Sequence, residues 1–212
     1  RIIPAILNNP NCELIVVIDR TNVKKNKINE MFGVPLESSF EHAFKNYDFH
    51  AVYISTPTAV HFENIIFSAK NKKHILSEKS LVCSYSEALK VVEICKKNKV
   101  FLFEGFMYQF HNSIKKLNKI INNGLLGKIN YINCSFGFPG FEKTNYRNFK
   151  SLGGGVLLDA ACYTLHASRL ISNSNPKSLN SEIIYNNDGL DISGSSLIVF
   201  ENNKSLRIQI FF

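Results

Sequence analysis

Ala51-Val52-Tyr53-Ile54-Ser55-Thr56-Pro57 is a short apolar run that stops on a polar turn, and Lys73-His74-Ile75-Leu76-Ser77-Glu78-Lys79 repeats the design. A near-continuous apolar run bounded by turn residues reads as a strand buried in a parallel sheet. The segment between them, Ala59 to Ala69, reads as a helix. The order is therefore strand, helix, strand. Working outward, Glu13-Leu14-Ile15-Val16-Val17-Ile18 is a third such run, and Val100 to Glu104 a fourth. A Lys/Asn-rich stretch through Met31 and the segment Ser38 to Lys45 read as helices. Ser84 to Lys97 reads as an amphipathic helix opened by the capping box Ser84-x-x-Glu87. Alternating strands and helices predict an α/β fold with a Rossmann-type, doubly wound parallel sheet. Ligands of such sheets bind beyond the carboxyl ends of the strands, so the polar residues that close each run deserve scrutiny.

After Glu104 the pattern changes. Asn112 to Asn123 reads as a helix stopped by Gly124, and Lys128 to Phe136 as a strand. Gly153-Gly154-Gly155 opens a helix running to about Ile171. Strand-like segments follow at Ser181–Tyr185, Ser195–Phe200 and Ser205–Phe212, the last two joined by Glu201-Asn202-Asn203-Lys204. We expect residues 105–212 to form a second α/β domain on a mainly antiparallel open sheet, after a first domain over 1–104. The chain opens on Arg1-Ile2-Ile3 in place of Met and ends inside a strand-like run. A partial chain is the expectation, without the glycine-rich loop and the last strands.

Composition narrows the class. The chain has 212 residues, 45% hydrophobic and 20% charged, as in ordinary globular proteins. No apolar run approaches the roughly 20 residues that span a bilayer. The net charge of +8 comes mostly from lysines scattered along helices, without an arginine cluster, so we expect neither a nucleic-acid nor a membrane partner. The five cysteines, Cys12, Cys83, Cys95, Cys134 and Cys162, are odd in number and widely spaced. They read as small buried apolar residues in a reducing compartment, the cytoplasm, with no bound metal.

Two constellations carry chemistry. Glu78-Lys79 lies just beyond a strand, where a lysine can bond to a carbonyl or hydroxyl oxygen and relay a proton. The bland alternative is a solvated charge pair. Asp159, Tyr163 and His166 fall at i, i+4 and i+7 of one helix, which places them on one face. The alternative is a polar face at a domain interface. Weaker candidates surround them. Asp19 closes a strand, as does the acidic residue that takes the adenosine ribose hydroxyls in dinucleotide-binding units, about 20 residues after the phosphate loop. Arg20 beside it could meet a 2′-phosphate, so NAD and NADP both stay open. Thr56 and Pro57 sit at a strand's carboxyl end, with His61 one turn into the next helix. Tyr108 and Arg147 lie in loop-like stretches and could grip substrate hydroxyls.

Taken together, these pieces resemble the glucose–fructose oxidoreductase / inositol dehydrogenase (Gfo/Idh/MocA) family over nearly the whole chain. Ser77-Glu78-Lys79-Ser80 is similar to its Glu-Lys-Pro signature, with Ser80 in place of the proline. Glu104-Gly105-Phe106-Met107-Tyr108-Gln109-Phe110-His111 is similar to a Glu-Ala-Phe-Met-Tyr-Arg-Phe-His stretch. Gly153-Gly154-Gly155-Val156-Leu157-Leu158-Asp159-Ala160-Ala161-Cys162-Tyr163 is similar to Gly-Gly-Gly-x-Leu-x-Asp-x-Gly-Cys-Tyr. The tyrosine form resembles the branch that holds dimeric dihydrodiol dehydrogenases and nucleotide-sugar ketoreductases. The resemblance implies catalysis by Lys79 and Tyr163 with help from Asp159. It implies cofactor contacts from Asp19, Arg20, Thr56, Pro57, His61, Glu78 and Lys79, and substrate contacts from Tyr108, Arg147 and His166. It implies an NAD(P)-dependent oxidoreductase of a sugar, nucleotide sugar or polyol, oligomeric through its second sheet; the carboxylate at Asp19, which repels a 2′-phosphate, gives a lean to NAD. A lysine ammonium beside Tyr163 is expected to lower the phenol pKa. The competing reading is a non-catalytic dinucleotide-binding sensor of the same fold.

Overall fold

The structure is a computed structural model that describes residues 2–19 and 25–211. The chain forms two compact units, Arg1–Val52 and Tyr53–Phe212. In the first, α1 (Ile2–Leu7) precedes β1 (Val17–Ile18), which pairs in parallel with β2 (Leu36–Glu37). The apolar run over 13–18 therefore yields a shorter strand than its pattern predicts. A ladder needs a partner, and β2 supplies one for Val17 and Ile18 alone. Helices α2 (Lys25–Phe32) and α3 (Phe40–Asn46) complete the unit. Ser39 caps α3 by accepting the His42 N–H at 3.1 Å.

The second unit carries most of a three-stranded sheet of β3 (Ala51–Ile54), β4 (His74–Ser77) and β5 (Leu102–Glu104), in that order. Strands β4 and β5 are parallel, with Ser77 opposite Glu104 at their carboxyl ends. A 3-10 turn, Thr58–Val60, leads into α4 (His61–Lys70), and α5 (Tyr85–Asn98) links β4 to β5. The capping box of α5 forms as its sequence predicts, and Lys99 ends the helix in the left-handed region at φ 58°. Ile54, Ile65, Ala69, Ile75, Val91 and Cys95 are buried, while Leu76 and Phe103 are exposed. One face of this sheet is thus buried more deeply than the other, unlike the run of residues buried on both faces that the sequence suggests.

Beyond β5 come a 3-10 turn at Met107–Phe110, α6 (Asn112–Asn122) and β6 (Tyr131–Gly137). A π-helical turn, Leu157–Ala161, then runs directly into α7 (Cys162–Ser172). Strands β7 (Pro176–Tyr185), β8 (Asp191–Phe200) and β9 (Ser205–Phe211) close the chain in the order β6-β9-β8-β7. The β6–β9 pair is parallel and the other two are antiparallel. Alternation buries Ile132, Ile198, Phe200, Leu206, Ile208 and Ile210 against Val156, Ala160 and Ala161. Each such side chain contributes about 1.5–3 kcal/mol relative to its exposed state. Strand β7 begins five residues before the segment its apolar residues mark. Ser178 and Asn180 have weak strand propensity, and pairing with Val199 and Leu197 of β8 recruits them. The cysteines are free, but Cys12 and Cys83 are exposed, which corrects their expected burial; Cys95 is buried. Among the described residues, no helix is long and apolar enough to cross a membrane.

Candidate active site

The carboxyl ends of β4 and β5 meet the π-helical turn. Lys79 follows β4, and its peptide bond to Ser80 is cis. The Lys79 side chain is 9% exposed and its Nζ donates to Asp159 Oδ1 at 2.5 Å and to the Asp159 carbonyl at 2.7 Å. Asp159, 7% exposed at its side chain, also faces Arg147, whose Nε lies 2.9 Å from Oδ2 without hydrogen-bond alignment. One buried carboxylate thus lies between two cations. The guanidinium of Arg147 also stacks over Tyr146 and Phe141, at 4.6 and 5.1 Å from the ring centroids. Glu78 does not pair with Lys79. Its carboxylate accepts the Tyr53 hydroxyl, and burial together with that carboxylate pushes the Tyr53 pKa up.

Tyr163 brings its ring under the same ammonium, with Nζ 4.9 Å from the centroid. Phe136 at 5.3 Å, Phe106 at 5.7 Å and Tyr108 at 6.0 Å surround the ring. The Tyr163 hydroxyl has no hydrogen-bond partner among the described residues. Its pKa is pushed up to about 12, first by burial and then by Cys162, Glu78 and Asp159, against the opposing pull of Arg147. This corrects the expectation of a lowered value. The ammonium is committed to Asp159 and contacts the face of the ring, and desolvation of the phenolate dominates.

His166 departs from the Asp159 side of the site. It stacks on Phe106 at 4.2 Å and its Nδ1 lies 2.6 Å from the Tyr108 hydroxyl. Burial, and then Arg169, lowers the His166 pKa, while burial first of all raises Tyr108 to about 12. The phenol therefore donates and the neutral imidazole accepts. Phe106, Tyr108, Tyr163 and His166 form one aromatic cluster. The even helical spacing expected for Asp159, Tyr163 and His166 is interrupted, because Asp159 belongs to the π-helical turn and the other two to α7. Such turns recur at functional sites.

The glycines before this turn have tight surroundings. Gly155 has φ +102°, and a Cβ there would run into the Asp191 carboxylate, which accepts the Leu157 N–H at 2.6 Å. Gly153 has φ +74°, and a Cβ there would come within 2.9 Å of the Ala59 nitrogen. The close backbone approach is therefore to this chain's own 3-10 turn and to β8.

The other sequence candidates fall as follows. Thr56 is exposed, and its hydroxyl accepts from Asn64 Nδ2 at 3.3 Å; Pro57 precedes the 3-10 turn. His61 is buried as a strut between two loops. It is 1% exposed, with Nδ1 2.9 Å from the Ser80 carbonyl and Nε2 2.8 Å from that of Thr56. Asp19 follows β1 and its N–H donates to the Glu37 carbonyl at 2.9 Å. Arg20 lies outside the described residues. Sequence reading missed the roles of Tyr53, Ser80, Glu104 and Asp191. Glu104 was legible, since it closes β5 as Glu78 follows β4. It accepts the Leu81 N–H at 2.8 Å, and burial raises its pKa against the pull of that bond and of Lys79. Among the described residues, no group of three or more His, Cys, Asp or Glu could hold a metal.

Known proteins share this arrangement of sequence. Residues 1–106 match the family model described as "Oxidoreductase family, NAD-binding Rossmann fold", and residues 114–212 match "GFO/IDH/MocA C-terminal domain". The chain belongs to the Gfo/Idh/MocA family. A relative, the dTDP-3,4-didehydro-2,6-dideoxy-alpha-D-glucose 3-reductase of Saccharopolyspora spinosa, is 26% identical over 80% of this chain and 51% of its own length. D-xylose 1-dehydrogenase (NADP(+)) 2 of Haloferax volcanii is 25% identical over 100% of this chain and 65% of its own. The chain thus spans between 51% and 65% of these curated relatives. Among solved structures, a 3-ketoreductase from Actinomadura kijaniata in complex with NADP and TDP-benzene superposes with a TM-score of 0.93 at 22% identity, covering 100% of this chain and 66% of that one. That likeness shows the fold. It is the α/β fold expected: a Rossmann-type parallel sheet followed by a mixed, mainly antiparallel one.

Proposed function

We propose that the protein is an NAD(P)-dependent oxidoreductase acting on a carbinol or carbonyl carbon of a sugar, nucleotide sugar or related polyol. The observation that carries this reading is the Lys79–Asp159 pair set against the face of Tyr163. The donor set suits the nicotinamide half of a dinucleotide and a reacting oxygen: an ammonium, a phenol hydroxyl without a partner among the described residues, and the carboxyl ends of the strands at Thr56, Pro57 and Glu78. The bound dinucleotide would supply or accept the hydride. Tyr163, protonated at neutral pH with its pKa near 12, donates the proton to a carbonyl oxygen in reduction. Lys79 stabilises negative charge on that oxygen, and Asp159 holds the ammonium in place. Tyr108 and His166 fix one wall, and Arg147 offers its terminal guanidinium nitrogens to substrate hydroxyls. Residues 1–104 hold the dinucleotide in this proposal and residues 105–212 the substrate.

The cofactor preference proposed is NAD(H), since a carboxylate at Asp19 repels a 2′-phosphate; Arg20 is the residue that would oppose this. A homo-oligomer is proposed through the outer face of the second sheet, where Tyr131, Ile184, Leu197 and Phe211 are exposed. The free thiols suit the cytoplasm.

The test is Tyr163→Phe and Lys79→Met in the full-length protein, with NADH and NADPH titrated by fluorescence. We expect each substitution to cut turnover by about a hundredfold or more, with cofactor affinity nearly unchanged. A protein that binds neither cofactor refutes the oxidoreductase reading. Binding with no turnover on any sugar favours the non-catalytic sensor.

A further inference from the structure

Lys79 and Ser80 are consecutive, and their side chains take consecutive carbonyls of the turn that carries Asp159. Ser80 Oγ donates to the Leu158 carbonyl at 2.6 Å, and Lys79 Nζ to the Asp159 carbonyl at 2.7 Å. Ser80 is buried, and its own carbonyl lies 2.9 Å from His61 Nδ1. The segment is therefore anchored on two sides, to the α4 strut and to the π-helical turn. A lysine side chain is long and flexible, so the resting point of its ammonium depends on where its backbone is fixed relative to the partner carboxylate. The Glu-Lys-Pro form of the signature has no hydroxyl at this position and cannot make the tie to Leu158.

We propose that Ser80 is a positioning residue, whose hydroxyl clamps the Leu158 carbonyl and thereby sets the register in which Lys79 meets Asp159. The inference rests on the site assigned to Lys79 above, and its test needs neither turnover nor cofactor. The full-length protein is acetylated briefly with acetic anhydride, and modification at Lys79 is read by peptide mass spectrometry against exposed Lys97 on α5. Alkylation of buried Cys95 is followed in parallel as a gauge of general opening. In the parent, Lys79 should label more slowly than Lys97. In Ser80→Ala the Lys79-to-Lys97 ratio should rise about fivefold, the factor that one ordinary buried hydrogen bond carries, with Cys95 as protected as before. Asp159→Asn should raise the ratio at least as much. An unchanged ratio in folded Ser80→Ala overturns the proposal, as does a rise matched by equal exposure of Cys95. If Ser80→Ala does not fold, Ser80→Cys decides by the same ratio, since its thiol keeps the volume and donates weakly. A parent-like ratio with oxidoreductase activity intact sinks the positioning role alone. A raised ratio in Ser80→Ala, beside an unsubstituted full-length protein that turns over no sugar, sinks the oxidoreductase reading alone.

Discussion

Replacing Asp159 with asparagine keeps the volume and removes the charge that two cations share. Lys79 is 9% exposed at its side chain and has its ammonium 2.5 Å from Oδ1; Arg147 is 27% exposed with Nε 2.9 Å from Oδ2. Removing one partner of a buried pair costs about 3–5 kcal/mol, because the remaining charge is left desolvated. Two features argue for the lower end. Lys79 keeps its bond to the backbone carbonyl of residue 159, and Arg147 can recruit water. We therefore expect a loss of about 3 kcal/mol for Asp159→Asn, or a fall in Tm of about 6–12 °C for a unit of this size. Thermal melts followed by circular dichroism, with urea midpoints alongside, measure it. The double variant Asp159→Asn with Lys79→Met should lose less than the sum of the single losses, by about 1–3 kcal/mol, because the stranded ammonium is gone. A Tm within about 2 °C of the parent, or strict additivity in the double variant, would falsify the view that this pair is buried and coupled.

Two further expectations follow from the same neighbourhood. The His166 pKa is held below its ordinary 6.5, so the unfolded chain takes up a proton first as pH falls. The stabilising contribution is whole above pH 6.5 and is lost as pH falls through the lower folded value; the urea midpoint should drop in that window, and His166→Gln should remove that part of the drop. Gly155→Ala should cost about 2–4 kcal/mol, from strain at its positive φ and from the collision with Asp191. A Gly155→Ala protein with a parental urea midpoint would mean the 155–157 segment packs differently.

Much of the fold was legible because strand termination and helix capping are local. Ser84 and Glu87 sit at fixed spacing and form the capping box they predict. The glycine run at 153–155 marked a close approach, although what approaches is the chain's own Ala59 and Asp191. Lys79 and Asp159 were each visible as charges at the end of an apolar segment. Their mutual contact joins residues 80 positions apart, so no local pattern shows it; it was reached only through the family resemblance, which leaves Asp159 to orient either the substrate or Lys79. The direction of the Tyr163 shift was misjudged for the same reason, since neighbouring charge is guessable from sequence while desolvation requires the packed rings of Phe106 and Phe136. Strand β7 was under-read because its first residues are polar and owe their conformation to β8. Tyr53 gave no signal at all, being an aromatic residue in a strand where any aromatic fits.

The π-helical turn at Leu157–Ala161 also constrains how this sequence can drift. Loss of a single codon inside it would let the segment relax into ordinary α-helix, and everything downstream would turn by about 100° about the helix axis. Tyr163 and His166 would swing away from Lys79 and Phe106 together, although every side chain of the site had been retained. Length between Gly155 and Tyr163 thus matters to the site as much as residue identity, and a one-residue gap there in any relative would mark a protein whose site must be built some other way.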